Sequence, residues 1–343
     1  MFNNRFSGSA ELYSRFTNDM VGPAVDLPAT LGLSAPRANN CDLRTNGWEI
    51  EVSWRDRTAF GLGYRIAGNL SDSRTVILAY PGNSTGSLTS YNPGHEINEI
   101  WGYETVGIAK SQAEMDAHLE KVGGQSAIGS QWAAGDIMYA DLDGKPGITR
   151  GARTLEDHGD LKLLGTSNPH YFFGINLEAD FKGFDVRALF QGVAQRQYFP
   201  TGLMFWGATG SGIWWSAGFK EHGDYFRATE IGLPGHTIAA NTDSYYPRPL
   251  FSSKNQQTQT RYLLNAAYIR FKNLQFGYTL PQDLTRKINI NRCRIFVSVD
   301  NLWTGTALPK KLLDPETING GYGSYGNAYP LARTWSFGLS VTL

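Results

Sequence analysis

Few residues in this chain have the types and spacing for chemistry. Gly82-Asn-Ser-Thr-Gly86 spells G-x-S-x-G, the elbow in which a serine, here Ser84, attacks an acyl group. That device needs a strand before the serine and a helix straight after it. Residues 76–80 can supply the strand, but residues 87–93 read SLTSYNP, which is turn and extended chain. A Gly/Ser-rich loop accounts for the match. Asp141-Leu-Asp-Gly-Lys-Pro-Gly-Ile148 opens like a calcium loop, with Asp141 at position 1 and Asp143 at position 3. Position 5 is then Lys145, which cannot ligate a cation, position 6 is Pro146 where a glycine should turn, and position 12 is Ala152. It reads as a polar turn that keeps its shape without an ion. Gly207-Ala-Thr-Gly-Ser-Gly212 lacks the lysine of a phosphate loop. The six histidines show no ligand spacing, and no acid/base pair stands out. No catalytic set, metal or cofactor is expected.

Other residues are suited to binding. Tyr198, Phe199, Phe205, Trp206, Trp214, Trp215, Phe219, Tyr225, Phe226, Tyr245 and Tyr246 fall within residues 193–261. Flat rings with polar tips fit sugar faces and protein interfaces. A loop of that length also needs a small core of its own, and both readings stand at this point.

The elements that would position these residues are strands. Residues 333–343 read RTWSFGLSVTL, with Trp335, Phe337, Leu339, Val341 and Leu343 on one parity and small polar residues on the other. Successive strand side chains point to opposite faces, so this is one apolar and one polar face. A strand of about ten residues with one apolar face is what a transmembrane barrel uses to cross lipid. The same alternation marks Phe6 to Phe16, Trp48 to Trp54, Phe60 to Leu70, Tyr171 to Phe181, Phe184 to Phe190 and Cys293 to Val299. Between residues 264 and 280 the parity switches at Lys272-Asn273, which implies a β-bulge. One helix is expected, at residues 113–121, after the capping box Ser111-Gln-Ala-Glu114. Taken in order, the connections run long, short, long, short, long, medium, long. In an up-and-down barrel that order puts every short turn on one side of the membrane and every long loop on the other.

Composition agrees. Lys+Arg and Asp+Glu are both 31, so no basic excess points to nucleic acid. Charged residues are 18%, below the usual share of about 25%, while 39 glycines and 13% aromatics fit turns and ring girdles. Mean hydropathy is −0.33, and no apolar run makes a membrane helix, which does not exclude a barrel. The N-terminus, MFNNRFSGSAELY, has no apolar core of a signal peptide, so any export signal is expected upstream. Cys41 falls in an expected outer loop and Cys293 starts a strand at the opposite level. An apolar band about 25 Å tall separates those levels, and a disulfide needs Cα atoms within about 7 Å, so both thiols should be free.

Several stretches together resemble the C-terminal part of a SusC/RagA-type TonB-linked outer-membrane transporter. They are Phe2-Asn-Asn-Arg-Phe-Ser-Gly-Ser-Ala, Ile100-Trp-Gly-Tyr-Glu-Thr-Val-Gly-Ile, Gly135-Asp-Ile-Met-Tyr-Ala-Asp-Leu-Asp-Gly, Asn168-Pro-His-Tyr-Phe-Phe-Gly, Phe181-Lys-Gly-Phe-Asp, Tyr268-Ile-Arg-Phe-Lys-Asn-Leu-Gln-Phe-Gly-Tyr-Thr-Leu-Pro and Asp314-Pro-Glu, in the family's order. The resemblance implies an all-β fold: an antiparallel transmembrane β-barrel, here partial, with about eight to ten strands, long extracellular loops and one short loop helix. Residues 1–343 are read as one unit, with the plug and the N-terminal strands of a barrel of about 22 strands absent. It implies import of nutrients such as glycan oligosaccharides or peptides across the outer membrane of a Gram-negative bacterium, with the C-terminus periplasmic. The implied partners are outer-membrane lipid, a SusD-like surface lipoprotein as lid, TonB through the missing N-terminal part, and the barrel-assembly machinery.

Under that reading Trp206, Trp214, Trp215, Tyr245 and Tyr246 are candidates for contact with substrate or lid. Trp335, Phe337, Leu339, Val341 and Leu343 resemble the terminal strand read by the assembly machinery, with Leu343 in place of the expected Phe. Ser7, Ser9, Glu49, Glu51, Arg65, Asn176, Glu178, Arg187, Ser298, Asp300, Ser336 and Ser340 should face the lumen. Two alternatives remain. One is a self-contained eight-stranded barrel enzyme, whose inward glycines (Gly61, Gly63, Gly174, Gly338) would fill a small lumen poorly. The other is a secreted carbohydrate-binding β-protein.

Overall fold

The computed structural model describes residues 3–23, 36–207, 218–309, 313–318 and 331–343. In chain order it begins with β1 (Phe6–Gly22), β2 (Ala38–Arg57) and β3 (Gly63–Ala79). The chain then leaves the sheet through β4 (Glu99–Tyr103), β5 (Thr105–Ile108), α1 (Gln112–Val122), β6 (Ile137–Tyr139) and β7 (Leu161–Thr166). It returns as β8 (His170–Phe181) and β9 (Phe184–Gln195). A second departure holds β10 (Gln197–Tyr198), α2 (Leu203–Trp206), β11 (Ile231–Leu233), β12 (His236–Ile238) and β13 (Leu264–Asn265). Last come β14 (Tyr268–Thr279), α3 (Gln282–Thr285), β15 (Arg292–Thr306) and β16 (Thr334–Thr342). Helix α1 is the expected one; α2 and α3 are single turns.

Eight strands form one antiparallel sheet in the order β1-β2-β3-β8-β9-β14-β15-β16. Partners directly opposite share a face. One apolar row therefore crosses the whole sheet: Phe6, Trp54, Ile66, Leu177, Ala188, Leu274, Val299 and Trp335. The opposite face carries Arg55, Arg65, Glu178, Arg187, Gln275, Ser298 and Ser336 in register. Among the described residues nothing covers much of the apolar face. Leu12 is 86% exposed, Phe337 82% and Leu339 64%. Among the described residues no ladder joins β1 to β16, so the sheet is open at both edges.

Short connections all lie at one end of the sheet. Residues 58–62 join β2 to β3, closed by Thr58 N–H to the Leu62 carbonyl at 2.9 Å, and Lys182-Gly183 joins β8 to β9. Phe60, Gly61 and Leu62 therefore belong to a turn, with Gly61 at φ 98°, although the alternation continues through them. The bulge falls at Lys272, skipped between Phe271 and Asn273 in both ladders of β14. At the other end the strands run on past their alternating stretches. β1 has 17 residues and β2 has 20, so Cys41 lies in β2 opposite Met20 and not in a loop. Cys41 and Cys293 are both free, and Cys41 is buried.

The two long departures pack on each other as a second body. Its core includes Tyr103, Ile137, Tyr139, Ile148, Phe205, Trp206, Tyr246 and Tyr262. Tyr103 N–H donates to the Thr258 carbonyl at 2.8 Å, and Ile137 N–H to Asn255 Oδ1 at 3.0 Å, tying segments more than a hundred residues apart.

Candidate functional site

Helix α2 and the stretch before β13 bring the aromatic residues together. Phe205 meets Trp206 at 5.1 Å between ring centres, Trp206 meets Tyr262 at 4.8 Å, and Tyr245 meets Tyr246 at 4.8 Å, all near edge-to-face. That geometry suits the ring quadrupoles. Their polar tips are used inside the body: Trp206 Nε1 donates to the Pro200 carbonyl at 2.8 Å, and Tyr262 Oη to the Tyr245 carbonyl at 2.8 Å. Burial pushes the Tyr246 and Tyr262 hydroxyls far above the usual tyrosine range. Of the candidate contact residues, Trp206 is 6% exposed, Tyr246 7%, and Tyr245 is half-buried. Three of the five candidates are thus mainly core, because a long loop closes on its own rings. Trp206 and Tyr246 still line a cavity of about 220 Å³, with His222, Tyr225, Arg248 and Leu250. Trp214 and Trp215 lie outside the described residues.

Asp136 fixes the centre of this body. It has no exposure and accepts from Arg248 Nε at 2.7 Å, Asn255 Nδ2 at 2.9 Å and Ala133 N–H at 2.9 Å, with Lys254 Nζ at 2.8 Å. Burial pushes its carboxyl up, but the bonds from Arg248, Lys254, Asn255 and Ala133 outweigh that and hold it below the usual carboxylate range. Sequence reading missed this residue as a hub. Its side-chain partners lie more than a hundred positions away, and only the Gly135-Asp-Ile-Met-Tyr resemblance pointed to the stretch.

The calcium-like loop gains one carboxylate that its spacing did not show. Asp141, Asp143 and Asp160 bring oxygens within 4.8 Å of one another. Asp160 is buried and spent on the backbone, taking the N–H groups of Leu142 and Thr149 at 2.7 Å each. Lys145 Nζ sits 3.2 Å from Asp143 and supplies the positive charge from within the loop. The serine of Gly82-Asn-Ser-Thr-Gly86 is followed by turns, and Asn83 ties that loop through Ser87 and Asn92.

Where the second body joins the sheet, His170 bridges two carboxylates. Its Nδ1 lies 2.7 Å from Asp72 on β3 and its Nε2 3.1 Å from Glu96, whose segment pairs with the end of β3. His170 is 1% exposed, and the next residue, Tyr171, takes φ 57° where β8 leaves β3. Each ring nitrogen lies within hydrogen-bond distance of a carboxylate, so the ring clasps the sheet to the loops.

An open eight-strand wall with one bare apolar face, carrying a packed body at its long-loop end, can now be set against known proteins. No family model matches the chain. TonB-dependent receptor P3 of Formosa agariphila is 26% identical over 99% of this chain and 33% of its own length. TonB-dependent receptor P26 of the same organism is 22% identical over 100% of this chain and 33% of its own length. The chain is similar along its whole length to TonB-dependent receptors. It spans about a third of the length of the curated relatives it matches. Among solved structures, the RagAB peptide transporter superposes with a TM-score of 0.66 at 19% identity, over 99% of this chain and 34% of that one. The RagAB peptide importer in its open-open state gives 0.65 at 18% identity, over 100% and 33%. The fold is therefore that of part of a receptor barrel, in line with the SusC/RagA resemblance.

Proposed function

We propose that this chain is the C-terminal third of the barrel of a SusC/RagA-type, TonB-dependent outer-membrane importer of nutrients such as oligosaccharides or peptides. The observation that carries it is the unbroken apolar row across eight strands, from Phe6 to Trp335, on a chain matched end to end by such receptors. A closed eight-stranded enzyme would need β1 to meet β16, and a secreted protein would need cover over Phe337 and Leu339. In this reading the apolar face meets lipid and the polar face lines the lumen. The packed body is extracellular, the C-terminus periplasmic, and β16 serves the assembly machinery through Trp335, Phe337, Leu339, Val341 and Leu343. A SusD-like lipoprotein covers the mouth, the cavity beside Trp206 and Tyr246 meets substrate or lid, and TonB acts through a part of the receptor outside this chain.

Epitope insertion tests the arrangement. The β11–β12 hairpin tip at Gly235 is exposed and turns at φ 74°, and the β8–β9 turn at Gly183 lies at the opposite end. A tag at Gly235 should bind antibody on intact cells, whereas a tag at Gly183 should bind only after the outer membrane is opened. Equal accessibility of both tags, or recovery of the chain in the soluble fraction, would defeat the reading.

A further inference from the structure

A second groove on the external body has the chemistry of a binding site. Its volume is about 310 Å³, and its walls include Glu99, Trp101, Tyr103, Arg150, Arg153 and Phe199. β4 supplies one wall, the turn at residues 149–155 another, and the chain before α2 the third. Arg150 and Arg153 are exposed, and among the described residues neither guanidinium has an ion pair or hydrogen bond. The turn that carries them is nevertheless fixed. Arg153 N–H donates to the Arg150 carbonyl at 3.0 Å, Leu88 N–H to the Arg153 carbonyl at 2.8 Å, and Ala152 N–H to Asp157 at 2.9 Å. Arg153 itself takes φ 58°, a left-handed conformation costly for a residue with a Cβ. The backbone that carries the two cations is therefore fixed, and among the described residues neither has a partner of its own.

The groove's one carboxylate is already engaged. Glu99 accepts from Trp101 Nε1 at 3.1 Å and Glu96 N–H at 3.2 Å, and meets His95 Nδ1 at 3.1 Å. That bond also orients the Trp101 ring, whose neighbour is the His158 ring at 5.7 Å. Burial pushes the Tyr103 hydroxyl up, and the charges of Arg150 and Arg153 pull against it.

We propose that this groove binds an anionic oligosaccharide, with Arg150 and Arg153 on its carboxylates or sulfates and Trp101 and Phe199 along its ring faces. The proposal rests on the import reading above and names the substrate class for it. Guanidinium forks match carboxylate and sulfate oxygens in pairs, and aromatic faces take the C–H side of a sugar. An acidic peptide fits less well. It would use an open backbone edge, but β4 has β7 on one side, and Tyr103 N–H on the other already donates to Thr258. What remains in the groove is ring faces, cations and the side chains of Thr201, Gln257 and Thr258.

The test is calorimetric titration of the chain, extracted in mild detergent with whatever assembly holds it. The probes are an oligogalacturonate, a sulfated galactan oligomer, a neutral cello-oligomer of equal length and an oligoglutamate. At least one anionic sugar should bind, the neutral one should not, and binding should weaken as salt rises. R150Q/R153Q should weaken it by about tenfold or more, since each loses a charge-assisted contact. R150K/R153K should retain part of the affinity, because charge stays while the paired geometry goes. Both positions are exposed, so unchanged near-ultraviolet circular dichroism is expected in both variants. Equal binding by R150Q/R153Q, no binding of either anionic sugar, or tighter binding of oligoglutamate would each overturn the proposal. A chain recovered only from the soluble fraction would defeat the import reading instead, and the same titration on that soluble chain would still decide the groove.

Discussion

The sheet and the packed body place their apolar residues in opposite ways. On β16, Phe337 and Leu339 stand 82% and 64% exposed, while Ile137, Tyr139 and Tyr262 of the body have no exposure at all. Their charges differ in the same sense. Arg57 and Asp180 pair across the sheet with 60% and 56% of their side chains exposed, whereas Asp136 and Lys254 pair at 0% and 4%. The sheet satisfies its backbone by its ladders and takes its apolar contacts from the surroundings. The body makes its own interior and needs nothing from lipid. A change of solvent should therefore unmake one and leave the other, and a broken side-chain network should do the reverse.

The largest effect expected is Asp136→Ala. It leaves Lys254 buried and Arg248 half-buried without their counter-ion, and removing one partner of a buried pair costs about 3–5 kcal/mol. Native-state hydrogen exchange should show the body opening while the ladders of β14 and β15 keep their protection. The same carboxyl makes the body acid-sensitive. Its folded-state pKa lies below the unfolded value, so its contribution is present above that value, about 4, and is lost as pH falls through the folded one. Buried tyrosines set the alkaline limit. Tyr139, Tyr246 and Tyr262 hold their protons above the unfolded value of about 10, so stability falls as pH rises beyond it. Tyrosinate absorbance rising in one step with loss of the body's near-ultraviolet signal would show this; early, independent titration would contradict it.

A neighbouring pair on β16 probes the sheet. Leu339 lies on the apolar face and Ser340 on the polar one. In lipid Leu339→Arg should cost about 2–4 kcal/mol and Ser340→Arg clearly less, read from denaturant unfolding in vesicles. Similar costs at both positions would mean that the row from Phe6 to Trp335 does not face lipid.

Period-two alternation made the sheet legible from sequence, because each strand declares its face locally. The parity switch at Lys272-Asn273 located the bulge to the residue, and the terminal run located β16. The errors came where alternation outlasts the strand, as at Phe60 and Leu62, or where a strand runs past its alternating stretch, as at Cys41. The body was far less legible. Its core joins Tyr103 and Tyr139 to Phe205 and Tyr262, and its charges join Asp136 to Arg248 and Lys254. No periodicity records contacts of that separation. The aromatic run of residues 193–261 was visible, yet composition alone does not tell a ring that faces a ligand from one that fills a core. Arg150 and Arg153 carried no signal, since their interest lies in lacking partners.

The smallest effect expected is the most discriminating. Ser111 Oγ accepts the Glu114 N–H at 3.2 Å, and Glu114 in turn accepts from Lys110 N–H at 2.7 Å, one residue before the reciprocal bond of a full capping box. α1 has 11 residues, short of the roughly 12–15 at which an isolated helix becomes marginal in water, so it depends on its cap and on Met115 and Val122 in the body. Ser111→Ala should cost about 1 kcal/mol. If body and sheet are separate cooperative units, that loss should speed amide exchange in α1, β5 and β6 and leave β14 and β15 unmoved. The clasp of His170 on Asp72 and Glu96 is where the two would be coupled. Faster exchange in β14 after Ser111→Ala would mean that the clasp transmits stability, and that body and sheet open as one.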